Sequence, residues 1–261
     1  MTMAITPVVL TFNEAPNIAR TLSRLSWAKD IVVVDSGSTD STREIAAQHP
    51  GVRVVQRAFT THAEQWNFGV HETGITTEWV LALDADFVLS DELIREIGSM
   101  APEPGAAGYQ ASFTYCIDGQ PLTAAAYPPV VVLFRRGSAR YVQDGHTQRV
   151  QLDGPIGRLA GRILHDDRKS LAHWLPAQMR YMRLEADKLS QAPPGSLGLA
   201  DQLRQAIVLA PPAMFLYCYI LRGGVFDGRA GLFYALQRAA SELILSLFLM
   251  ERMLRRRSLE Q

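Results

Sequence analysis

The sequence has few cysteines and no excess of charge of either sign. Cys116 and Cys218 are the only cysteines, and they lie far apart in the chain. Two isolated cysteines match neither a disulfide framework nor the spacing of a zinc site, and they are compatible with a reducing compartment. The 26 Lys and Arg balance 26 Asp and Glu among 261 residues. A formal net charge of zero predicts no bulk electrostatic capture of nucleic acid.

Signals for export and for common phosphate-binding loops are also missing. Residues 1–7 carry no charged region followed by a cleavage site, which predicts that there is no signal peptide. A Rossmann dehydrogenase requires G-x-G-x-x-G after its first strand, whereas residues 11–16 read TFNEAP. This difference argues against NAD, and the lack of a P-loop sequence argues against a Walker-type ATPase.

The first hundred residues alternate between strand and helix patterns. Apolar runs predict strands at residues 5–10, 31–34, 52–55 and 79–83, with helices between them at 15–26, 41–49 and 62–73. Ser41 and Glu44 have the spacing of a capping box for the second helix. This alternation predicts a mostly parallel sheet with crossover helices. Further strands are expected at 107–116 and 130–135, and a hairpin at 140–152.

The apolar run at residues 79–83 ends in two carboxylates, Asp84 and Asp86. The run suits a strand that is buried on both faces. Because unpaired charges are costly to bury, the two aspartates are expected at the carboxyl edge of the sheet, where open α/β sheets bind ligands. Two hard oxygen ligands there suit Mg²⁺ or Mn²⁺ holding a diphosphate, and a solvated turn is the alternative interpretation.

Two other strand ends bring polar residues to the same edge. The first strand runs into residues 11–14, and the second runs into Asp35 and the small residues 36–38. A carboxylate at Asp35 can accept hydrogen bonds from a base or a ribose, and small residues let a ligand approach the backbone. Since the carboxyl ends of parallel strands meet at one edge, these residues are expected to line one crevice.

Taken in order, these motifs resemble family 2 of the inverting glycosyltransferases with the GT-A fold. The matching stretches are TFNE at 11–14, VVVDSGSTD at 32–40 and LDAD at 83–86. Further matches at Gln65, Asn67, 153–159, His165 and 219–231 resemble the bacterial lipopolysaccharide-core β-glucosyltransferase branch. The resemblance covers most of the chain. It implies a Rossmann-like α/β domain over residues 1–168, with a mostly parallel sheet and flanking helices, and a C-terminal helical extension over 169–261.

The resemblance also implies a donor site and a metal site. The donor would be a UDP-sugar, and the cofactor would be Mg²⁺ or Mn²⁺. The residues implied for the donor are Thr11, Asn13, Glu14, Asp35, Ser38, Arg57, Gln65, Asn67 and Asp84. The metal would be held by Asp84, Asp86 and His165. An ordinary surface arginine at position 57 and a structural histidine at position 165 remain open as alternatives.

The chain departs from the resemblance at the position of the catalytic base. The branch carries a glutamate shortly before the segment aligned with residues 153–157, where this chain has Gln148. An inverting transfer needs a base to deprotonate the acceptor hydroxyl, and an amide cannot take that proton. Asp144 is the preferred candidate, and His146 is the other. A simple turn at Asp144 is the alternative to a catalytic role.

The last third of the chain is expected to be helical. Helices are predicted at 171–189 and 230–257, and Pro211 and Pro212 interrupt the apolar segment 206–221, so no clean transmembrane helix is expected there. The last helix contains the apolar run 243–250 and ends in arginines 255–257. Two interpretations stay open: a helical subdomain packed on the core, or an interfacial membrane element whose arginines contact anionic headgroups.

The main functional hypothesis is a glycosyltransferase that moves a sugar from a UDP-sugar to a glycan or lipid-linked acceptor in bacterial envelope polysaccharide or lipopolysaccharide synthesis. Its expected mechanism is an inverting, metal-assisted displacement. Its expected location is cytoplasmic, peripheral on the inner membrane. The missing glutamate motivates an alternative, a catalytically inactive sugar-nucleotide-binding partner in an envelope assembly complex. A nucleotidyltransferase is disfavoured because no Gly-rich, basic loop follows the first strand.

Overall fold

The structure is a computed structural model that describes residues 3–124, 127–144, 147–193, 195 and 197–259. The chain divides into two compact units. The first, called the sheet unit below, comprises Met1–Pro121 and Tyr127–Arg168. The second, called the helical unit, comprises Leu122–Ala126 and Lys169–Gln261.

The sheet unit combines a nine-stranded sheet, a separate pair of strands and four helices. The strands are β1 (Ile5–Thr11), β2 (Ile31–Asp35), β3 (Val52–Gln56), β4 (Trp79–Asp84), β5 (Phe87–Leu89), β6 (Gly108–Ile117), β7 (Gln120–Pro121), β8 (Val130–Arg135), β9 (Ala139–Asp144), β10 (Thr147–Leu152) and β11 (Ile156–His165). The helices are α1 (Ile18–Ser23), α2 (Thr42–Ala47), α3 (His62–His71) and α4 (Asp91–Ser99). The order of the large sheet is β3-β2-β1-β4-β8-β6-β11-β5, and β7 pairs with β6.

The centre of the large sheet is parallel and fully buried. β1 pairs in parallel with β2 on one side and with β4 on the other. Every residue of β1 and β2 is buried, and so is every residue of β4 except Asp84. Near-continuous apolar runs are typical of parallel strands covered on both faces. The four strands predicted in the first hundred residues are confirmed, and so is the α/β fold class.

The register of these strands brings three strand ends together. Thr11 lies beside Asp35, and Leu10 lies beside Asp84. The polar residues that follow β1, β2 and β4 therefore share one edge of the sheet, as the sequence predicted.

Several details differ from the sequence-based expectations. β8 runs antiparallel between β4 and β6, and α4, β5 and β11 were not predicted. The predicted capping box of α2 is wrong, because the Ser41 side chain makes no capping hydrogen bond. Ser41 is not in the extended conformation that an N-cap residue normally adopts (φ −77°, ψ 15°). The Asp40 carboxylate accepts the Thr42 N–H at 3.0 Å instead.

The predicted hairpin region forms a two-stranded sheet of its own. β9 and β10 are antiparallel, and Asp144 is paired with Thr147 in their register. α3 packs against this pair of strands, where the Trp66 and Tyr141 rings stack at 5.3 Å between centroids.

The helical unit contains α5 (Leu171–Gln191), α6 (Leu199–Gln205), α7 (Ala210–Leu216) and α8 (Gly228–Leu259). Pro211 and Pro212 lie in the first turn of α7, where a helix tolerates proline. Leu245 and Leu249 of α8 form an apolar core with Ala186 and Leu189 of α5. Within the described residues, the segment Gly224–Arg255 is long and apolar enough to cross a membrane, judged by length and composition alone.

Both cysteines are free and buried. Burial raises the pKa of the Cys116 thiol to about 11 and also raises the pKa of Cys218.

Candidate active site

The loops after β1 and β2 are joined by hydrogen bonds from Asn13. Its backbone N–H donates to the Ser38 hydroxyl at 2.9 Å, and its side-chain oxygen accepts the Thr39 N–H at 2.8 Å. Asn13 has a φ of 54°, in the left-handed region that asparagine tolerates better than most residues. Asn13, which was predicted to contact the UDP-sugar, thus connects two loops at the shared edge.

Asp35 is fully buried and orders its own loop. Its carboxylate accepts hydrogen bonds from the N–H groups of Gly37 and Ser38, at 3.0 and 2.9 Å, and from the Ser38 hydroxyl. Gly37 has a φ of 92°, which favours glycine, although a Cβ there would meet no atom within 4 Å. Asp35 and Ser38 therefore determine the conformation of the loop, and their direct contact with a donor remains a prediction.

Thr11 and Glu14 lie at the start of the loop after β1. The Thr11 Oγ1 atom is buried and has no hydrogen-bond partner among the described residues. The Glu14 carboxylate accepts from the Asn17 side chain at 2.7 Å, and the Glu14 N–H donates to the Thr42 hydroxyl at 2.7 Å. Because a buried hydroxyl usually has a partner, Thr11 is a candidate to bond a ligand at this edge.

Arg57 and Gln65 extend the same edge from β3 and α3. The buried Gln65 amide donates to the Ser36 hydroxyl at 3.1 Å and accepts from Arg57 at 2.8 Å. Arg57 also lies over the Phe68 ring, 5.3 Å from its centroid. Arg57 and Gln65, both predicted to contact the UDP-sugar, are therefore connected to the Asp35 loop through Ser36.

Asn67 binds a different part of the unit. Its side-chain nitrogen donates to the Tyr141 carbonyl at 2.9 Å, and its side-chain oxygen accepts the Tyr141 N–H at 2.9 Å. Both ends of the amide thus hold β9 against α3. The observed role of Asn67 is structural, and its contact with the UDP-sugar stays a prediction.

Asp86, which follows β4, contacts His165 at the end of β11. The Asp86 carboxylate accepts from His165 Nε2 at 3.1 Å, and β5 pairs Phe87 with His165. The imidazole lies among the rings of Phe87, Tyr115 and Tyr127, with centroid distances of 4.8–5.2 Å. Asp86 and His165, both predicted metal ligands, are therefore in direct contact.

The charges at this position affect three titratable side chains. Burial lowers the pKa of His165, but the carboxylates of Asp86 and Asp84 outweigh burial, and the net shift is upward. Burial raises the pKa of Tyr127, and the charges of Asp84 and Asp86 raise it further. Burial and the charge of Asp84 likewise raise the pKa of Tyr141. The charges of both aspartates therefore act on Tyr127, and the charge of Asp84 acts on Tyr141.

The side chains of Asp84, Asp86 and His165 carry atoms that suit a divalent cation as ligands. Asp84 and Asp86 supply hard oxygen ligands, and His165 supplies an imidazole, a combination that suits Mn²⁺ and, for the carboxylates alone, Mg²⁺. The Nδ1 atom of His165 is buried without a hydrogen-bond partner among the described residues. No group of three or more His, Cys, Asp or Glu in the described part of the chain is already arranged around a metal position. A cation shared with a diphosphate needs only one or two protein carboxylates, so these residues fit such an ion.

Helix α1 and its N-cap residue bond both the turn that carries Asp84 and Asp86 and the segment that follows His165. The buried Thr21 hydroxyl donates to the Ala85 carbonyl at 2.7 Å, between the two aspartates. Arg20 bonds the Asp166 carboxylate at 2.6 Å and the Asp166 carbonyl at 2.7 Å, and Asn17 donates to Asp167 at 2.9 Å.

The sequence analysis missed these contacts of α1. Asn17, Arg20 and Thr21 are spaced three and four residues apart, so they form one polar face of a helix next to the predicted site. That pattern was a readable signal. No comparable sequence pattern identifies Tyr127 and Tyr141 as side chains whose pKa the charge of Asp84 raises.

The candidate catalytic bases lie on the β9–β10 pair. β9 ends at Asp144, and the Asp144 carboxylate accepts from the Arg149 guanidinium at 2.6 Å. Gln148 is paired with Gln143 in the register of the two strands. His146 lies outside the described residues. The charge of Asp84 raises the pKa of Tyr141, which lies on β9 three residues before Asp144.

Curated relatives match most or part of the chain. A "Lipopolysaccharide core biosynthesis glycosyltransferase LpsC" from Rhizobium meliloti (strain 1021) is 25% identical over 253 residues, covering 89% of each chain. An "Uncharacterized glycosyltransferase" from Rickettsia bellii (strain RML369-C) is 38% identical over 98 residues, which are 37% of this chain and 32% of that one. The match thus spans about a third of the length of the Rickettsia relative.

Solved structures superpose on the chain at low sequence identity. S. aureus TarS 1-349 in complex with UDP-GlcNAc superposes with a TM-score of 0.49 at 14% identity, covering 91% of this chain and 90% of that one. Glucosyl-3-phosphoglycerate synthase from Mycobacterium tuberculosis superposes with a TM-score of 0.48 at 17% identity, covering 76% and 83%.

The family assignment rests on the sequence itself. The profile of "Glycosyl transferase family 2" matches residues 7–158, which is more than half of the chain. The match includes the strand ends at Thr11, Asp35 and Asp84 and extends through the β9–β10 pair. The chain belongs to glycosyl transferase family 2.

Proposed function

We propose that this protein transfers a sugar from a UDP-sugar to a glycan or lipid-linked acceptor. The observation that carries the proposal is the position of Asp84 and Asp86. Asp84 ends a buried parallel strand that shares an edge with the Asp35 loop, and Asp86, two residues on, contacts His165. In a chain of glycosyl transferase family 2, this edge is the natural place for a nucleoside diphosphate.

The donor would bind along the ends of β1, β2 and β4. Thr11 offers a buried hydroxyl without a partner among the described residues, and the Asp35 loop offers small residues that a uridine can approach. Arg57 and Gln65 bound the loop on the α3 side. A divalent ion held by Asp84 and Asp86, with His165 beside them, would neutralise the charge that grows on the diphosphate when the sugar leaves.

The transfer would be a single displacement with inversion. The acceptor hydroxyl oxygen forms a bond to the anomeric carbon, while the bond from that carbon to the diphosphate oxygen breaks and UDP leaves. The hydroxyl proton passes to a base, for which we propose Asp144 because Gln148 cannot accept it. Arg149 would orient the Asp144 carboxylate through its present ion pair. Orientation of the two substrates supplies much of the rate enhancement.

The relative that matches nearly the whole chain supports our proposal for the acceptor class. LpsC is named as a lipopolysaccharide core biosynthesis glycosyltransferase. We therefore place the acceptor among core-type or lipid-linked glycans of the bacterial envelope, and the protein on the cytoplasmic face of the inner membrane as a peripheral protein.

A second function is favoured by one observation. Gln148 replaces the glutamate that the resemblance supplies as a base, and an amide is not a base. In this alternative the chain binds a sugar nucleotide without transferring the sugar and serves as a partner in an envelope assembly complex.

Calorimetry with UDP, UDP-glucose and UDP-GlcNAc, with and without Mn²⁺, tests the donor site. The variants are Asp86→Asn, which removes a proposed ligand charge, and Glu92→Gln, which makes the same chemical change at an exposed position in the first turn of α4. We expect Mn²⁺-dependent UDP binding that Asp86→Asn weakens at least about tenfold, as a lost charged ligand should, and that Glu92→Gln preserves.

Two further results separate the alternatives. Release of UDP in the presence of core-type glycan acceptors supports transfer, whereas tight donor binding without UDP release from any acceptor favours the inactive partner. Failure to bind UDP under every metal condition would overturn the donor assignment for both.

A further inference from the structure

The polarity of α8 is inverted in the middle of the helix. Ser241, Glu242 and Ser246 are buried, each at most 5% exposed. Glu242 accepts from Arg204 of α6 at 2.9 Å, and the Ser246 hydroxyl donates to the Ile207 carbonyl at 2.7 Å. The polar residues of this stretch therefore point into the helical unit, where hydrogen bonds and an ion pair satisfy them.

The outward positions of the same helix are apolar except for Arg229. Between Gly228 and Met250 the exposed positions are Gly228, Arg229, Leu232, Phe233, Leu236, Leu243, Leu247 and Met250. Leu243 and Leu247 are 52% and 57% exposed. These residues recur at helical spacing, with Ala239 and Ala240 half-buried in between, and none is acidic. The large side chains define one surface, the outer stripe of α8, which continues to Leu254 and is roughly 33 Å long.

The stripe ends in a basic segment. Residues 251–257 contain four arginines and one glutamate. Glu251 is paired with Arg255 at 2.6 Å, and Arg252 is paired with Asp187 of α5 at 2.7 Å. Arginine beside an apolar stripe complements anionic headgroups next to acyl chains.

The charged neighbours of α8 argue against a membrane-crossing orientation of this helix. Glu242 forms an ion network with Arg204 and the buried Glu185, and α5 carries Asp187 against Arg252. A crossing helix would bring these charges to the depth of the hydrocarbon, where each is costly. A helix in the interfacial plane buries only its apolar stripe and leaves the charged neighbours in water.

We propose that the outer stripe of α8 is the surface that binds the lipid bilayer, with its aliphatic residues in the boundary between headgroups and acyl chains. This proposal rests on the membrane location given in the proposed function, and it names the surface that would make the contact. A bilayer fits better than a second copy of the chain, because the stripe runs into the arginine-rich segment 251–257, which complements anionic headgroups.

Vesicle flotation with the full-length protein tests this surface. The probes are vesicles of phosphatidylethanolamine with phosphatidylglycerol and vesicles of phosphatidylcholine alone. The test variant is Leu243→Gln with Leu247→Gln, and the matched control is Val130→Gln with Ile156→Gln, two exposed apolar positions in the sheet unit. Thermal melting and UDP calorimetry without vesicles report folding and the donor site separately.

The wild-type protein should float with the anionic vesicles and less with phosphatidylcholine alone. Each half-exposed leucine that leaves water contributes roughly a factor of 5 or more to partitioning, so the double variant should partition at least about 25-fold more weakly. The control should stay within about twofold.

Equal flotation of the double variant and the wild type would overturn the proposal. So would absence of wild-type binding to anionic vesicles, or a dimer in lipid-free light scattering that the double variant dissociates. None of these results would change UDP binding in solution, so failure of the membrane surface is distinguishable from failure of the donor site.

Discussion

Replacing Thr21 by valine should loosen the turn that carries Asp84 and Asp86. Valine preserves the shape of threonine but removes the hydroxyl that donates to the Ala85 carbonyl at 2.7 Å. Both groups are buried, and a buried acceptor that loses its donor costs about 1–3 kcal/mol. We expect the free energy of unfolding to fall by that amount, which corresponds to a melting temperature lower by roughly 2–12 °C for a unit of this size.

The same change should weaken ligand binding at the two aspartates. The Asp84 and Asp86 carboxylates would then be less well positioned. If this lowers the binding free energy by about 1–2 kcal/mol, UDP in the presence of Mn²⁺ should bind about 5- to 30-fold more weakly. Calorimetry on the folded variant measures this directly. Thr21→Ser is the matched control, because it keeps the hydroxyl and loses a methyl group. It should lower stability and leave UDP affinity close to that of the wild type.

The comparison of the two variants can refute the positioning role of α1. A valine variant that melts at lower temperature but binds UDP and Mn²⁺ like the wild type would show that the Thr21 hydroxyl only stabilises the fold. Equal loss of UDP affinity in the serine and valine variants would show that packing, and not the hydrogen bond, sets the position of the turn.

Three further predictions concern other parts of the sheet unit. Asn67→Ala removes two hydrogen bonds to the Tyr141 backbone and should lower the free energy of unfolding by about 2–4 kcal/mol in chemical denaturation; a change below about 0.5 kcal/mol would contradict this. Gly161→Ala places a Cβ 2.4 Å from the Leu93 Cα and should lower the melting temperature, so a wild-type melting curve would be inconsistent with the close approach. Asp144→Asn should reduce kcat by about 10²- to 10⁴-fold with UDP affinity unchanged, and an unaltered kcat in steady-state kinetics would exclude Asp144 as the base.

The sequence was most informative where burial is complete. The runs that became β1, β2 and β4 are apolar on both faces, so they end where the first charged or polar side chain must reach the surface. That constraint alone predicts that Asp35 and Asp84 lie at one edge. Asp86 was identified by the same reasoning, since it follows one residue after the strand.

The sequence was less informative where a side chain bonds to another part of the backbone. Asn67 was expected at the donor, but its amide matches the backbone of Tyr141, which is 74 residues away. Nothing in the local pattern records a partner at that separation. The faces of α8 were unreadable for a related reason: leucines lie on both sides of the helix, so only the contacts of Glu242 and the two serines reveal which side is outward.

The burial of both native thiols gives the protein a practical property. Cys116 and Cys218 are enclosed, and their high pKa keeps them protonated near neutral pH, so they should react slowly with maleimides. A cysteine introduced at an outward position such as Leu247 would then be the fast-reacting thiol of an otherwise native chain. An environment-sensitive fluorophore attached there could follow the polarity around α8 in real time, without first removing either natural cysteine.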